Sequence, residues 1–290
     1  MKKRLFSVVY ATVMLCTAIP VCSCAQNSED EEGKVIRYGC ALSSATETCQ
    51  TFETIVKNSD GTSIAEKRKS SPLAPYVTEY GTEKELITAV GQSFEVVGYV
   101  SLRMPLGENV NMTTVNNVTP SVDNIENGTY ALVRPLELIY TAYDTLTPLA
   151  KNFLSFIGCD ETHAIIKNEG YARVGESLAY TAYRGMETVL RISATDYSYP
   201  LIRNISNAFE EKNRGVEVII ERDENTEETV RGGAAELGAT DGWDGAEELC
   251  ATRYAEDGVC VVVKKESKCK NVTFEQLYRL YVEGLPIETI

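Results

Sequence analysis

The sequence predicts an α/β protein built around a largely parallel sheet. Along most of the chain, strand-like runs of four to seven residues alternate with amphipathic helical segments, which is typical of this fold class. No short repeat period appears, so a solenoid is not expected. The chain has 290 residues and is 43% hydrophobic and 24% charged, values close to those of globular proteins. It is therefore long enough and apolar enough to bury a sizeable core.

The elements follow from apolar runs and from residues that begin or end helices. Apolar runs bounded by turn residues predict strands at residues 35–38, 96–102, 130–140, 189–192, 216–221 and 258–263. A first helix follows the capping residues 43–46, and further helices are predicted at residues 84–90, 148–156, 161–168, 201–212, 227–231 and 273–283. Residues 58–75 are predicted to form a loop, and residues 111–127 a crossing segment.

The first residues have the form of an export signal. Three basic residues at positions 2–4 precede an apolar run that ends at Cys22, and an acidic stretch follows. Residues 21–24 resemble a bacterial lipobox, which implies a lipid on Cys24; ordinary signal cleavage nearby is the alternative. We therefore predict a signal peptide at residues 1–23, a tether at residues 24–34, and an extracytoplasmic protein anchored by its N-terminal lipid to the bacterial cell membrane.

Composition excludes several functional classes. The chain has 28 Lys and Arg against 42 Asp and Glu, a net charge of −14, which disfavours nucleic-acid binding. His163 is the only histidine, which leaves few ways to build a zinc site or a histidine-dependent triad, and we expect it at the surface or its boundary. No two cysteines have C-x-x-C spacing, which argues against a zinc ribbon or a thioredoxin-like site. Because no nucleophile–base pair can be named either, no metal, cofactor or enzymatic activity is predicted. A disulfide among Cys40, Cys49, Cys250, Cys260 and Cys269 fits export, whereas Cys159 is predicted to be a buried thiol.

Several segments resemble the phosphate-binding proteins of bacterial phosphate ABC transporters. Residues 127–136, Asn-Gly-Thr-Tyr-Ala-Leu-Val-Arg-Pro-Leu, are similar to a stretch in the second half of that family. Residues 97–102, 117–121 and 153–171 also resemble the second half, and residues 192–201, 208–209, 233–238, 257–263 and 271–284 resemble the first half. Together these segments cover most of the chain after the signal.

The two halves stand in the reverse of the family's order. The resemblance thus implies a two-lobed, type II periplasmic-binding-protein-like fold that is circularly permuted, with residues 172–188 joining the old ends. The alternative is the back half of one copy fused to the front half of the next. We expect one lobe at residues 110–246 and the other from residues 35–109 together with residues 247–290.

The resemblance also implies a function and a site. The protein would be a monomeric solute-binding lipoprotein that holds phosphate or a similar oxyanion between its lobes and delivers it to ABC permease subunits. Helix N-termini and hydroxyl groups are suitable donors to such an anion. The positions that match the family's site are Thr195, Asp196, Thr46, Thr48, Asp241, Asn225 and Thr226, and Ser44 is a nearby substitute donor.

The site positions also depart from the family pattern. Glu47 replaces a glycine and Cys49 an arginine, while Asp223 and Glu224 stand where the family has a glycine-rich phosphate loop. Polar residues at such positions also serve as ordinary helix caps and turn formers. The alternative is therefore an interaction or sensor module that keeps the fold and has lost anion binding.

Overall fold

A computed structural model describes residues 35–243, 245 and 248–289, and ten of its strands belong to one mixed sheet. The main path of this sheet runs in the order β10-β9-β11-β7-β12-β4-β2-β3, with β5 and β8 paired to β12. Two short pairs, β1 with β14 and β6 with β13, lie outside it. The strands are β1 Val35–Ile36, β2 Tyr38–Leu42, β3 Val77–Tyr80, β4 Val96–Ser101, β5 Val110–Met112, β6 Thr114–Val115, β7 Val133–Tyr140, β8 Ala172–Arg173, β9 Val189–Ala194, β10 Glu217–Arg222, β11 Leu237–Asp241, β12 Cys250–Lys264, β13 Asn271–Val272 and β14 Ile287–Glu288.

The helices begin where the sequence supplies side-chain caps. Ser63, Thr82 and Thr273 each form a complete capping box, in which the cap hydroxyl and the third helical residue satisfy each other's backbone N–H groups. The helices are α1 Glu47–Ile55, α2 Ile64–Arg68, α3 Glu83–Val90, α4 Val122–Glu126, α5 Pro148–Ile157, α6 Asp160–Asn168, α7 Tyr199–Lys212, α8 Thr226–Arg231 and α9 Phe274–Tyr278, with a 3₁₀ turn at Tyr143–Thr145 and a π turn at Arg279–Glu283.

The longest strand, β12, belongs to both halves of the sheet. Its residues from Cys250 to Gly258 pair with β7, and those from Val259 to Val263 pair with β4, in both cases antiparallel. Away from these crossing strands, the pairs β9–β10, β9–β11, β2–β3 and β2–β4 are parallel. The predicted parallel sheet is thus found within each half, whereas the strands that connect the halves run antiparallel to their neighbours.

Two large hydrophobic cores lie on the two halves, and a small third cluster is formed by Ile139, Val230 and Leu249. The first includes Phe52 and Tyr99, whose rings stack with centroids 3.8 Å apart, and the second includes Phe153 and Phe209 at 5.0 Å. Val110 and Ile125 pack in the first core, because β5 pairs with the second half of β12. The chain therefore leaves the first core nearer to β7 than to residue 110, the position predicted for the lobe boundary. The boundaries of the two lobes remain a prediction.

The two ends of the described chain meet. β1 and β14 pair antiparallel, with Val35 opposite Glu288. The predicted strand at residues 35–38 is consequently divided: its first part joins β14, while Tyr38 begins β2, which reaches β12 through β4. The strand that begins at Tyr38 therefore shares a sheet with residues 258–263, whereas residues 35–36 do not.

Two expectations about single side chains are wrong. Cys40, Cys49, Cys159, Cys250, Cys260 and Cys269 are free thiols, so the disulfide that export made plausible is absent among the described cysteines. His163 is only 6% exposed rather than at the surface, because α6 turns it inward. Cys24, the signal and the tether lie outside the described residues. Over the described ranges, no helix is long and apolar enough to cross a bilayer.

Candidate functional site

A buried group of charges lies where β7, β11 and β12 run side by side. Arg134 of β7 is 3% exposed and stands between Asp241, the last residue of β11, and Asp257 of β12. Its Nη1 is 3.6 Å from Asp241 Oδ2, and its Nη2 is 3.5 Å from Asp257 Oδ2. An arginine can be buried at this depth because two carboxylates compensate its charge.

An exposed arginine, Arg103, and Tyr197 contact this buried group from its edge. Arg103 Nε is 3.4 Å from Asp257 Oδ1, and its Nη2 donates a hydrogen bond to the Tyr197 hydroxyl at 2.9 Å. The Tyr197 ring centroid is 3.6 Å from Arg134 Cζ and 5.6 Å from Arg103 Cζ, so that both guanidinium groups contact its ring. The Tyr197 hydroxyl donates to Asp257, and burial together with the Asp257 charge raises the pKa of Tyr197. The tyrosine therefore remains a proton donor at neutral pH.

Arg134 keeps unused hydrogen-bonding capacity. Among the residues that the structure describes, its Nε and Nη1 atoms have no hydrogen-bond partner. A buried donor without an acceptor is costly, and a guanidinium fork fits the oxygens of a carboxylate or phosphate. Arg134 also lines an open cavity of about 300 Å³ between α1 and the ends of β7 and β11. The other residues on its wall are Glu47, Gln50, Thr51, Thr54, Ile55, Val133, Pro135, Asp241, Gly242 and Trp243.

Thr195 and Asp241 are brought together beside this cavity. The Thr195 hydroxyl donates to Asp241 Oδ1 at 2.7 Å and accepts the Ser198 N–H at 3.2 Å, so it also supports the beginning of α7. Burial raises the pKa of Asp241, and nearby Glu47 and Glu224 raise it further, while the Thr195 hydrogen bond and Arg134 lower it. Asp241 is the one predicted site residue that lines the cavity itself.

Asp196 is exposed and its polar groups are used within the chain. Its backbone N–H donates to Glu224 Oε1 at 2.9 Å, and its carboxylate lies 3.2 Å from Arg222 Nη1. The backbone N–H of Asp196, at a position predicted to bind an anion, thus donates to the carboxylate of Glu224 instead.

The three predicted residues around the start of α1 have different environments. Thr46 caps α1 by accepting the Cys49 N–H at 3.3 Å. Thr48 is 6% exposed and donates to Glu83 Oε1 at 3.0 Å, an oxygen that also accepts the Ser101 N–H at 2.7 Å. Ser44 is exposed in the preceding turn. Thr46 and Thr48 thus have structural partners in this structure.

The predicted residues at the start of α8 also serve local structure. Thr226 is 2% exposed; its hydroxyl donates to the Asp223 carbonyl and lies 3.1 Å from the Ser193 hydroxyl. Asn225 is exposed, and its N–H donates to Asp223 Oδ1 at 2.8 Å. Hydrogen bonds, that from Thr229 foremost, lower the pKa of Asp223. Where the resembling family has a glycine-rich loop, this chain thus has a turn in which the Asp223 carboxylate accepts the backbone N–H of Asn225.

Arg134 and Trp243 were not among the predicted site residues. The sequence does place Arg134, a charged residue, inside the apolar strand predicted at residues 130–140. A charge at such a position needs a buried partner, and this pattern could have indicated a site. Trp243 is the only tryptophan of the chain and follows β11, where its indole Nε1 has no hydrogen-bond partner in the described residues. No local pattern connects it with a site.

Comparisons with known proteins agree with this architecture. No family model matches the chain. A phosphate-binding protein PstS 2 of Streptococcus agalactiae is 24% identical over 202 residues, which are 68% of each chain. The PstS 2 of Streptococcus pneumoniae is 24% identical over 198 residues, covering 66% of this chain and 67% of the relative.

A solved structure shows the same fold. The phosphate-binding protein of a phosphate ABC transporter from Streptococcus pneumoniae superimposes with a TM-score of 0.70 at 19% identity, covering 87% of this chain and 98% of that one. The chain therefore has the two-lobed α/β fold of periplasmic-type binding proteins. Within that class, its sequence and fold resemble the phosphate-binding proteins of ABC transporters. These relatives are binding proteins, in agreement with the expectation that the chain is not an enzyme.

Proposed function

We propose that the protein is the extracytoplasmic solute-binding component of an ABC transporter and that it binds phosphate or a similar small oxyanion. The likeness to binding proteins of ABC transporters supports the solute-binding role and permease subunits as partners. The choice of an oxyanion depends on one observation. Arg134 is buried, lines a cavity, and has two donor atoms without acceptors.

The surroundings of Arg134 suit an oxyanion that carries a proton. Gln50, Thr51 and Thr54 add neutral polar side chains to the cavity wall. Asp241 is held next to Arg134, and its carboxylate can accept a hydrogen bond from a ligand hydroxyl. Arg134 would then donate a hydrogen bond to a ligand oxygen from Nε or from Nη1, while Asp241 would accept a hydrogen bond from the ligand's hydroxyl group.

A second candidate function is supported by a different observation. The Glu224 carboxylate accepts a hydrogen bond from the Asp196 N–H, and the Glu83 carboxylate accepts one from the Thr48 hydroxyl. Two groups that were expected to donate to an anion thus donate to carboxylates of the protein. This pattern favours an interaction or sensor module that keeps the fold without a bound anion. The two functions differ in whether any oxyanion binds at all.

Calorimetric titration with phosphate and sulfate tests the choice. We expect binding at micromolar concentrations or tighter, and a loss of about 10- to 100-fold in affinity for Arg134→Lys, which keeps the charge but not the planar fork. Arg37→Lys is the matched control, because Arg37 forms an exposed pair with Glu95 and does not line the cavity. Circular dichroism checks that both variants fold.

Fluorescence of the single tryptophan gives a second readout on the unmodified protein, since Trp243 lines the same cavity. An absence of heat and of fluorescence change with every oxyanion would reject this proposal in favour of the interaction or sensor module.

We also propose that the protein is anchored through a lipid on Cys24. The basic residues at positions 2–4, the apolar run and the lipobox-like residues support this assignment. Mass spectrometry of the membrane fraction should find a mature N-terminus at Cys24 carrying a diacylglyceryl group. A product that starts at another residue and is released in soluble form would contradict it.

A further inference from the structure

We propose that the natural ligand is a zwitterion, a small organic molecule with an oxyanion at one end and an ammonium group at the other. This inference rests on the proposed oxyanion site and adds the chemistry of the rest of the ligand. It follows from the charges, the size and the walls of the cavity that Arg134 lines.

The charged side chains around Arg134 provide no net positive charge to balance an anion that lacks a cationic group. Arg103 and Arg134 are paired with Asp241 and Asp257, so these four side chains balance one another. Glu47 adds a further carboxylate to the cavity wall. A dianion such as hydrogen phosphate would gain hydrogen bonds to Arg134 but would bring its charge into a cavity that is already negative.

Glu47 is available to bind a cation. It lies in the first turn of α1, and the ion pairs that the described arginines and Lys212 form all involve other carboxylates. Asp241 lines the same cavity, and the charge of Glu47 is one of the smaller causes that raise the pKa of Asp241. Both carboxylates line the cavity, and an ammonium group placed there would relieve their repulsion.

The size and walls of the cavity indicate an organic ligand. About 300 Å³ is far more than the five heavy atoms of phosphate occupy, and is within the lower range of small-molecule sites. Ile55, Val133 and Pro135 give apolar surface for a short carbon chain. Trp243 is also on the cavity wall, and aromatic rings attract ammonium groups.

Two probes that differ mainly in an ammonium group test the inference. We expect 2-aminoethylphosphonate to bind at least about tenfold more tightly than ethylphosphonate and than inorganic phosphate, measured by calorimetry and by Trp243 fluorescence. In Glu47→Gln this preference should fall to about twofold or less. Glu108→Gln, which removes the same charge from an exposed residue outside the cavity wall, should keep it.

The possible results separate this inference from the proposed function. If ethylphosphonate or inorganic phosphate binds as tightly as the amino compound, or if Glu47→Gln keeps the preference, the zwitterion is rejected while oxyanion binding stands. If none of the three probes binds, the proposed oxyanion site fails as well. Circular dichroism and thermal unfolding of Glu47→Gln exclude loss of folding as the cause of any change.

Discussion

Arg134 illustrates what a sequence can show about one residue and what it cannot. A charged residue in the predicted strand at residues 130–140 is visible in the sequence, but its two carboxylate partners come from β11 and β12, more than 100 residues later. Asp241 was predicted because its position matches a site residue of the resembling family. The donors at Thr46 and Thr226 were predicted in the same way, yet both form caps and turns, which are local interactions that compete for the same hydroxyl groups.

His163 provides a test at the residue scale. Burial, with a contribution from nearby Arg173, lowers its pKa below the ordinary value of 6.5, so the folded protein holds the imidazole neutral. Below pH 6.5 the unfolded chain therefore binds more protons than the folded protein does. The free energy of unfolding that this imidazole contributes is fully present above pH 6.5 and should be lost as the pH falls toward the pKa of the folded state. Chemical denaturation at pH 7.5 and pH 5 should show a larger loss for the natural protein than for His163→Gln.

Because His163 is the only histidine, this comparison isolates a single imidazole. Equal pH dependence of the two proteins between these values would show that the side chain protonates as freely in the folded state as in the unfolded chain.

At the element scale, helices were more predictable than the strand that connects the halves. Thr273 and the residues after it form a capping box, a signal contained in four consecutive residues. In contrast, only residues 258–263 of β12 were predicted, because its first part is partly exposed and includes Thr252 and Arg253. Pairing with β7 extends this strand, and such pairing between distant segments leaves no local pattern.

Packing of α8 on β11 depends on a glycine. A Cβ at Gly238 would lie 2.5 Å from Thr226 Cγ2, 2.7 Å from Ile139 Cγ1 and 2.9 Å from Val230 Cγ2. We therefore expect Gly238→Ala to lower the free energy of unfolding by about 1–3 kcal/mol, since α8 must move away from the sheet.

The matched control is Gly81→Ala. A Cβ at Gly81 meets only the end of the Glu85 side chain at 3.6 Å, and little change in stability is expected. Urea denaturation followed by circular dichroism measures both variants. A Gly238→Ala protein as stable as the Gly81→Ala protein would show that α8 adjusts without cost.

On the scale of the whole molecule, we propose that the reversed order of the two halves is a circular permutation. The pairing of β1 with β14 supports this proposal, because it brings the two ends of the described chain together. Residues 184–187, in the segment predicted to join the old ends, include Met186, which is 95% exposed. A chain with a short linker from β14 to β1, opened between Gly185 and Met186, should fold and bind the same ligand.

Light scattering and the ligand titrations described above compare the reopened chain with the original. A reopened chain that is insoluble, or an original chain that forms only exchanged dimers, would support a fragment of a tandem protein instead. An insertion of the same linker within the buried strand β4 serves as the control that should not fold.

The passage of β12 through both halves has a consequence for how the molecule melts. Neither hydrophobic core can come apart without freeing backbone hydrogen bonds of the strand that also supports the other core. Differential scanning calorimetry should accordingly record one heat-absorption peak, with the calorimetric and van't Hoff enthalpies in agreement. Two separate peaks would show that the halves lose their structure independently. Cooperativity between the two halves would thus be a property of one shared backbone rather than of an interface between two bodies.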